Sequence, residues 1–129
     1  MRIGEAATAA NITTKTIRFY EQAGLLPPPG RTTNGYRSYN EISVNRLQFI
    51  RRAQTAGLAL AQIRDILRMR DENHTPCAHV AEMLTRQLSA LDQRIGELQA
   101  LRATVAEFQA TALEADPNKC DPNRICSLL

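Results

Sequence analysis

Tryptophan is absent from this 129-residue chain, and aromatic residues make up only 5% of it. Any core must therefore be assembled from Leu, Ile, Val and Ala. No apolar run approaches the roughly 20 residues of a membrane span, and nothing after Met1 resembles a signal peptide. A cytoplasmic protein without a membrane partner is the expectation. Cysteine is scarce and odd in number, three in all. In a reducing compartment that argues against a disulfide scaffold and leaves metal, redox or inert roles. A hydrophobic content of 43% with 22% charged residues describes an ordinary protein of one or two small domains, not a disordered tail.

What the chain does have is one long amphipathic stretch over residues 78–110. Apolar residues recur at Val80, Leu84, Leu88, Leu91, Ile95, Leu98, Leu101, Val105 and Phe108, in steps of three and four, the period of a helix with one apolar stripe. Charged and amide residues fill the other faces, and Gly96 is the only weak helix former. At 1.5 Å per residue the rod is roughly 45–50 Å long, too long for a small single-chain core to cover. Its simplest partner is the same helix of a second copy, so a homodimer is expected.

The net charge of +3 conceals an asymmetry. Residues 1–70 hold eleven Lys and Arg against four acids, giving +7, and residues 71–129 hold five against nine, giving −4. A basic front half points to a polyanionic partner.

The front half reads as short helices. Ile3, Ala6, Ala7 and Ala10 share a face, Asn11 and Ile12 make a turn, and Thr13 is suited to cap a second helix. That helix runs from Thr14 to about Gln22 and ends at Gly24, placed for a left-handed C-cap. Two short helices with a tight turn, the second carrying Lys15 and Arg18, fit a helix-turn-helix whose second helix enters the major groove. Three prolines, Pro27 to Pro29, then enforce an extended path. Arg31 to Tyr39 reads as a hairpin around Asn34-Gly35, a pair suited to a type I′ turn. Arg31, Tyr36, Arg37 and Tyr39 decorate this ribbon, where they could hold phosphates. Asn40 should cap a third helix that ends at Gly57, with Arg51 and Arg52 near its C-terminus, suited either to the helix dipole or to phosphate. A fourth helix spans about Leu60 to Met69, and polar residues 71–76 break the pattern.

Thr16-Ile17-Arg18-Phe19-Tyr20-Glu21, Gly24-Leu25-Leu26-Pro27 and Asn34-Gly35-Tyr36-Arg37-Ser38-Tyr39 at these spacings resemble the MerR family of transcription regulators. The resemblance continues through Arg46-Leu47-Gln48-Phe49-Ile50 and Gly57-Leu58 and covers essentially the whole chain. It implies a mainly α fold: a winged helix-turn-helix with a second helix pair over 1–70, a linker over 71–77, an antiparallel dimerisation helix over 78–110 and an effector loop over 111–129. It also implies a pseudo-palindromic promoter with an over-long spacer, distorted for RNA polymerase when the effector binds. By position, Lys15 and Arg18 fall on the reading helix, and Arg31, Asn34, Tyr36 and Arg37 on the wing. Tyr20 and Tyr39 are expected as supporting phosphate contacts, joined by Arg51 and Arg52.

Cys77 precedes the long helix, and Cys120 and Cys126 follow it. The link from about Ala110 to Cys120 could return to Cys77 only if nearly fully extended, whereas an antiparallel dimer brings Cys77 of one chain beside the Cys120–Cys126 loop of the other. Three thiolates suit a soft ion. A trigonal three-sulfur site fits mercury first or lead, and zinc or cadmium would want a fourth ligand. His79 is the candidate for that place, with His74, the Asp121 carboxylate or a water as others. The family's metal sensors carry two loop cysteines, and a cysteine at the helix start resembles those that sense divalent ions. The chain departs from them in its short spacing, with five residues between Cys120 and Cys126. An organic or oxidative effector is the alternative. A thiol enzyme is not expected, because no cysteine neighbours a His–Asp or His–Asn arrangement.

Overall fold

The computed structural model describes residues 1–27, 30, 31 and 37–129, with Gly30, Arg31 and Arg37 described by their backbone alone. Helices α1 (Ile3–Ala10) and α2 (Thr14–Gln22) are followed by strands β1 (Gly30–Arg31) and β2 (Arg37–Ser38). Helices α3 (Glu41–Thr55), α4 (Leu60–Asp71) and α5 (Cys77–Glu114) then lead into a single 3-10 turn at Pro117–Lys119. Residues 1–87 and 88–129 form two compact units.

Local sequence sets each boundary in the front unit. Asn11 adopts the left-handed conformation (φ 58°, ψ 46°) that turns the chain after α1, which an Asn tolerates better than most residues. Thr13 caps α2 by accepting a hydrogen bond from the Thr16 N–H at 3.1 Å. Gly24 (φ 78°) and Gly57 (φ 81°) supply the left-handed steps after α2 and α3. Asn40 caps α3, its Oδ1 accepting from the Ser43 N–H at 2.9 Å. The expected hairpin appears as antiparallel pairs Gly30–Ser38 and Arg31–Arg37, and its Asn34-Gly35 turn lies outside the described residues.

The core forms where the helices meet. Ala6, Ala7 and Ala10 present a small-residue face, which lets α1 lie close to α2 and α3. Ile17, Leu25, Leu47, Ile50 and Ile63 are fully enclosed. Arginines tie the frame together: the Nε of Arg46 donates to the Leu25 carbonyl at 2.8 Å, and Nη2 of Arg64 donates to the Ala23 carbonyl at 2.6 Å. Both acceptors lie just past the C-terminus of α2, so α3 and α4 grip that end. Arg46 also makes a two-pronged pair with Asp71 at 2.8 and 3.1 Å. Arg68 pairs with Asp65 one turn away.

The start of α5 belongs to this unit. Met83 is buried and Val80 packs against the core. The Gln87 side-chain nitrogen donates to the carbonyls of Ala56 and Gly57 at 3.2 and 3.4 Å. From Leu88 to Glu114 every residue of α5 is exposed, including the apolar stripe, where Leu88 and Leu98 show 62% and 58% of their surface.

Two outcomes follow for the front unit. The Arg46 guanidinium, mainly by its hydrogen bonds, holds the Asp71 carboxyl below its usual range. A carboxylate whose folded pKa is lowered contributes stability above its unfolded pKa, near 3.9, and loses it as pH falls through the folded value. Asp71→Asn should therefore be less stable at pH 7, by no more than about 1 kcal/mol for a half-exposed pair. Its stability, followed by denaturant unfolding, should fall less steeply than wild type below about pH 4. At Gly57 an added Cβ would land on the Gln87 side-chain nitrogen and require a left-handed backbone. Gly57→Ala should lower stability by at least about 1–2 kcal/mol, measured the same way.

Candidate nucleic-acid interface and effector loop

Helix α2 has two faces. Ile17 and Tyr20 point into the core, whereas Lys15, Arg18, Phe19 and Gln22 are exposed. Positions three and four apart are neighbours on a helix, so Lys15, Arg18, Phe19 and Gln22 form one outward surface. Its first turn is fixed by the Thr13 cap, and its last by Arg46 and Arg64. Two cations therefore stand on a helix clamped at both ends. Arg51 and Arg52 are exposed on the last turns of α3, and the charge of Arg51 reaches the Tyr20 phenol.

The two tyrosines expected at phosphates are engaged within the protein. Tyr20 and Tyr39 are 3% and 2% exposed. The Tyr20 hydroxyl donates to Oε1 of Gln54, and the Tyr39 hydroxyl donates to Oε1 of Glu21. A phenol has one proton, and in this arrangement each is directed to an acceptor within the protein. Tyr20 instead fastens α2 to α3, and Tyr39 fastens the base of the wing to α2. Burial raises the Tyr20 pKa, and Arg51 partly offsets it. On the wing, the backbones of Arg31 and Arg37 face each other across the ladder, and Asn34 and Tyr36 lie outside the described residues.

At the cysteines, Cys77 is the first residue of α5 and is exposed. His79 is partly buried and lines a cavity of about 360 Å³ with Asp65, Arg68, Met69 and Glu72. The expectation that His79 would share an ion with Cys77 is corrected by helix geometry, since side chains two residues apart point to opposite sides. Beyond α5 the sequence repeats itself as Asp-Pro-Asn-Lys-Cys and Asp-Pro-Asn-Arg-Ile-Cys. Both copies fold alike. Asp116 Oδ1 accepts from the Asn118 N–H at 2.9 Å, and Asp121 Oδ1 from the Asn123 N–H at 2.8 Å. Each Asp carbonyl also accepts from the N–H three residues on. The Asp121 N–H donates to the Ser127 hydroxyl at 2.9 Å, closing the segment between Cys120 and Cys126. This repeated turn, missed in the sequence reading, was visible there as two Asp-Pro-Asn triplets, a turn-forming combination.

Cys126 is partly buried and borders an apolar cavity of about 450 Å³ with Val105, Phe108, Ala112, Leu128 and Leu129. Among the described residues of the single chain, no three His, Cys, Asp or Glu side chains come together as a metal-binding group. None of the helices among the described residues is long and apolar enough to cross a membrane.

A capped, cationic second helix beside a two-stranded wing, clamped by a second helix pair, is the surface of a helix-turn-helix DNA-binding regulator. The profile of the MerR HTH family regulatory protein matches residues 1–70, and that of the MerR DNA-binding region matches residues 44–108. A probable heavy metal-dependent transcriptional regulator of Haemophilus influenzae is 33% identical, over 93% of this chain and 94% of that protein. The mercuric resistance operon regulatory protein of Bacillus cereus is 32% identical, over 84% of this chain and 82% of its own. The crystal structure of the transcription regulator PbrR691 from Ralstonia metallidurans CH34 in complex with lead(II) superposes with a TM-score of 0.77. It is 33% identical and covers 100% of this chain and 96% of that one. The chain belongs to the MerR family of DNA-binding transcription regulators, and its fold and relatives are not those of enzymes.

The two residue roles separate in a salt titration of DNA binding. Arg18→Ala should weaken binding at all salt concentrations. Tyr20→Phe should lower stability by about 0.5–1.5 kcal/mol, the worth of one hydrogen bond, and leave the slope of log affinity against log salt unchanged. A Tyr20→Phe slope shallower by about one phosphate contact would return its hydroxyl to the DNA.

Proposed function

We propose that the protein is a homodimeric, metal-responsive regulator that represses a promoter when metal-free and activates it when a soft divalent ion binds. The observation that carries this reading is the uncovered stripe of α5: Leu88, Leu91, Ile95, Leu98, Leu101 and Val105 are 45–62% exposed. Pairing with a second α5 would bury them. Cys77 opens the helix and Cys120 and Cys126 follow its end, so an antiparallel pair sets Cys77 of one subunit against the loop of its partner. The ion then bridges three thiolates across the interface, twice per dimer.

The donor set supports a soft ion, because three thiolates alone favour trigonal mercury or lead over zinc or cadmium, which would want a fourth ligand. Relatives named for mercuric resistance and solved with lead(II) agree with that chemistry. Mercury remains the first assignment. Lys15 and Arg18 read the major groove, and the wing residues Arg31, Asn34, Tyr36 and Arg37, with Arg51 and Arg52, hold the backbone. The target is a pseudo-palindromic promoter with an over-long spacer, which the metal-bound dimer distorts into a form that RNA polymerase can use. The ion acts by binding the activating arrangement more tightly than the repressing one, the condition for any such switch.

Adding mercury(II) to the metal-free protein should produce sulfur-to-metal charge-transfer absorption that saturates at one ion per chain. Cys77→Ser should abolish metal-dependent transcription while leaving the dimer intact. Leu91→Asp should abolish both dimer and shared site, as read by light scattering. A full transcriptional response in Cys77→Ser would overturn the three-thiolate site and transfer the effector role to an organic or oxidising compound.

A further inference from the structure

We propose that Phe19 is a specificity-determining residue, its ring packing against the C5-methyl group of a thymine in each half-site of the target DNA. The proposal rests on the assignment of α2 as the reading helix. Phe19 lies one turn beyond Lys15 and next to Arg18 on the outward face of α2. It shows 48% of its surface, unlike the core residues Ile17 and Tyr20 on the opposite face. Its ring sits 6.0 Å from that of Tyr20, tilted by 55°, within the range of a favourable aromatic pair. Tyr20 is itself fixed by Gln54. The phenyl group is therefore braced from behind and open in front.

An apolar ring beside two cations on a surface that meets DNA needs a complementary apolar group. Phe19 has no donor or acceptor, so it cannot hold a phosphate or answer the hydrogen-bonding edge of a base. The major groove offers one apolar feature, the thymine methyl, which tells A·T and T·A pairs apart from each other and from G·C. Lys15 and Arg18 supply the attraction that brings this face into the groove, and Phe19 adds a preference that neither cation can express. Burying the ring against the methyl also removes water from beside the Arg18 guanidinium, which strengthens whatever bond that group makes.

The test uses the full-length, metal-free protein and a pseudo-palindromic duplex that it selects from a random-sequence pool. Thymines in one half-site are replaced one at a time by deoxyuridine, which removes only the methyl group. Wild type should lose about fourfold in affinity at one position, the size of one buried methyl, and little at the others. Phe19→Ala should bind the thymine and deoxyuridine duplexes equally, and Phe19→Leu should keep the preference. Because the ratio is taken within each protein, a general loss of stability cancels. Indifference of the wild type at every thymine would overturn the proposal, as would a Phe19→Ala protein that keeps the fourfold ratio. Failure to select any duplex would overturn the reading-helix assignment and this proposal with it.

Discussion

An apolar stripe that its own chain does not cover is the constraint behind the rest of this molecule. Helix α5 has 38 residues, yet only its first three turns find a core to join, through Val80, Met83 and Gln87. From Leu88 onward the stripe meets solvent. Burying the six half-exposed side chains from Leu88 to Val105 on a second copy would contribute on the order of 10 kcal/mol, at about 1.5–3 kcal/mol for each full burial. That is comparable to the whole stability of a small domain. Dimerisation is thus, in the proposed function, part of folding, and the cysteines at the two ends of the helix exploit a contact made for other reasons.

The front unit answers a different demand, which is to hold a short helix rigid enough to read a surface. Nine residues make a helix that is marginal alone. Thr13 secures its start, Tyr20 anchors its middle through Gln54, and Arg46 and Arg64 take up the carbonyls beyond its end. Part of the positive charge of the front half is therefore already paired within the protein. Arg46, Arg64 and Arg68 are engaged with the protein itself, and the surface that attracts DNA is narrower than the charge total suggests.

Features fixed by backbone chemistry were legible from residue order. Thr13 and Asn40 cap because their side chains can reach an N–H three residues on, and Gly24 and Gly57 mark left-handed steps that a Cβ would oppose. The periodic stripe announced α5, although the helix continues past the stripe to Glu114. Side-chain direction was not legible. A tyrosine in a basic stretch looks like a phosphate ligand until its single proton is located, and Tyr20 and Tyr39 direct theirs to Gln54 and Glu21. His79 looked close to Cys77 in sequence, but the helix turns it towards α4.

The position of Gln87 shows how an effector loop could be heard by a reading head. In the proposed dimer the ion shifts how the paired helices are held, and the first rigid contact upstream is the Gln87 side chain on the carbonyls of Ala56 and Gly57. Those carbonyls belong to the turn between α3 and α4, and these helices carry the arginines that grip the end of α2. Gly57 is left-handed, with no side chain between the turn and Gln87, so the Gln87 amide reaches the backbone of the turn directly. A displacement of α5 would thus reach α2 through two hydrogen-bonded steps, Gln87 to the turn and Arg46 with Arg64 to the helix end. Short, direct connections of this kind suit a switch that must change an angle between two reading helices without loosening either one.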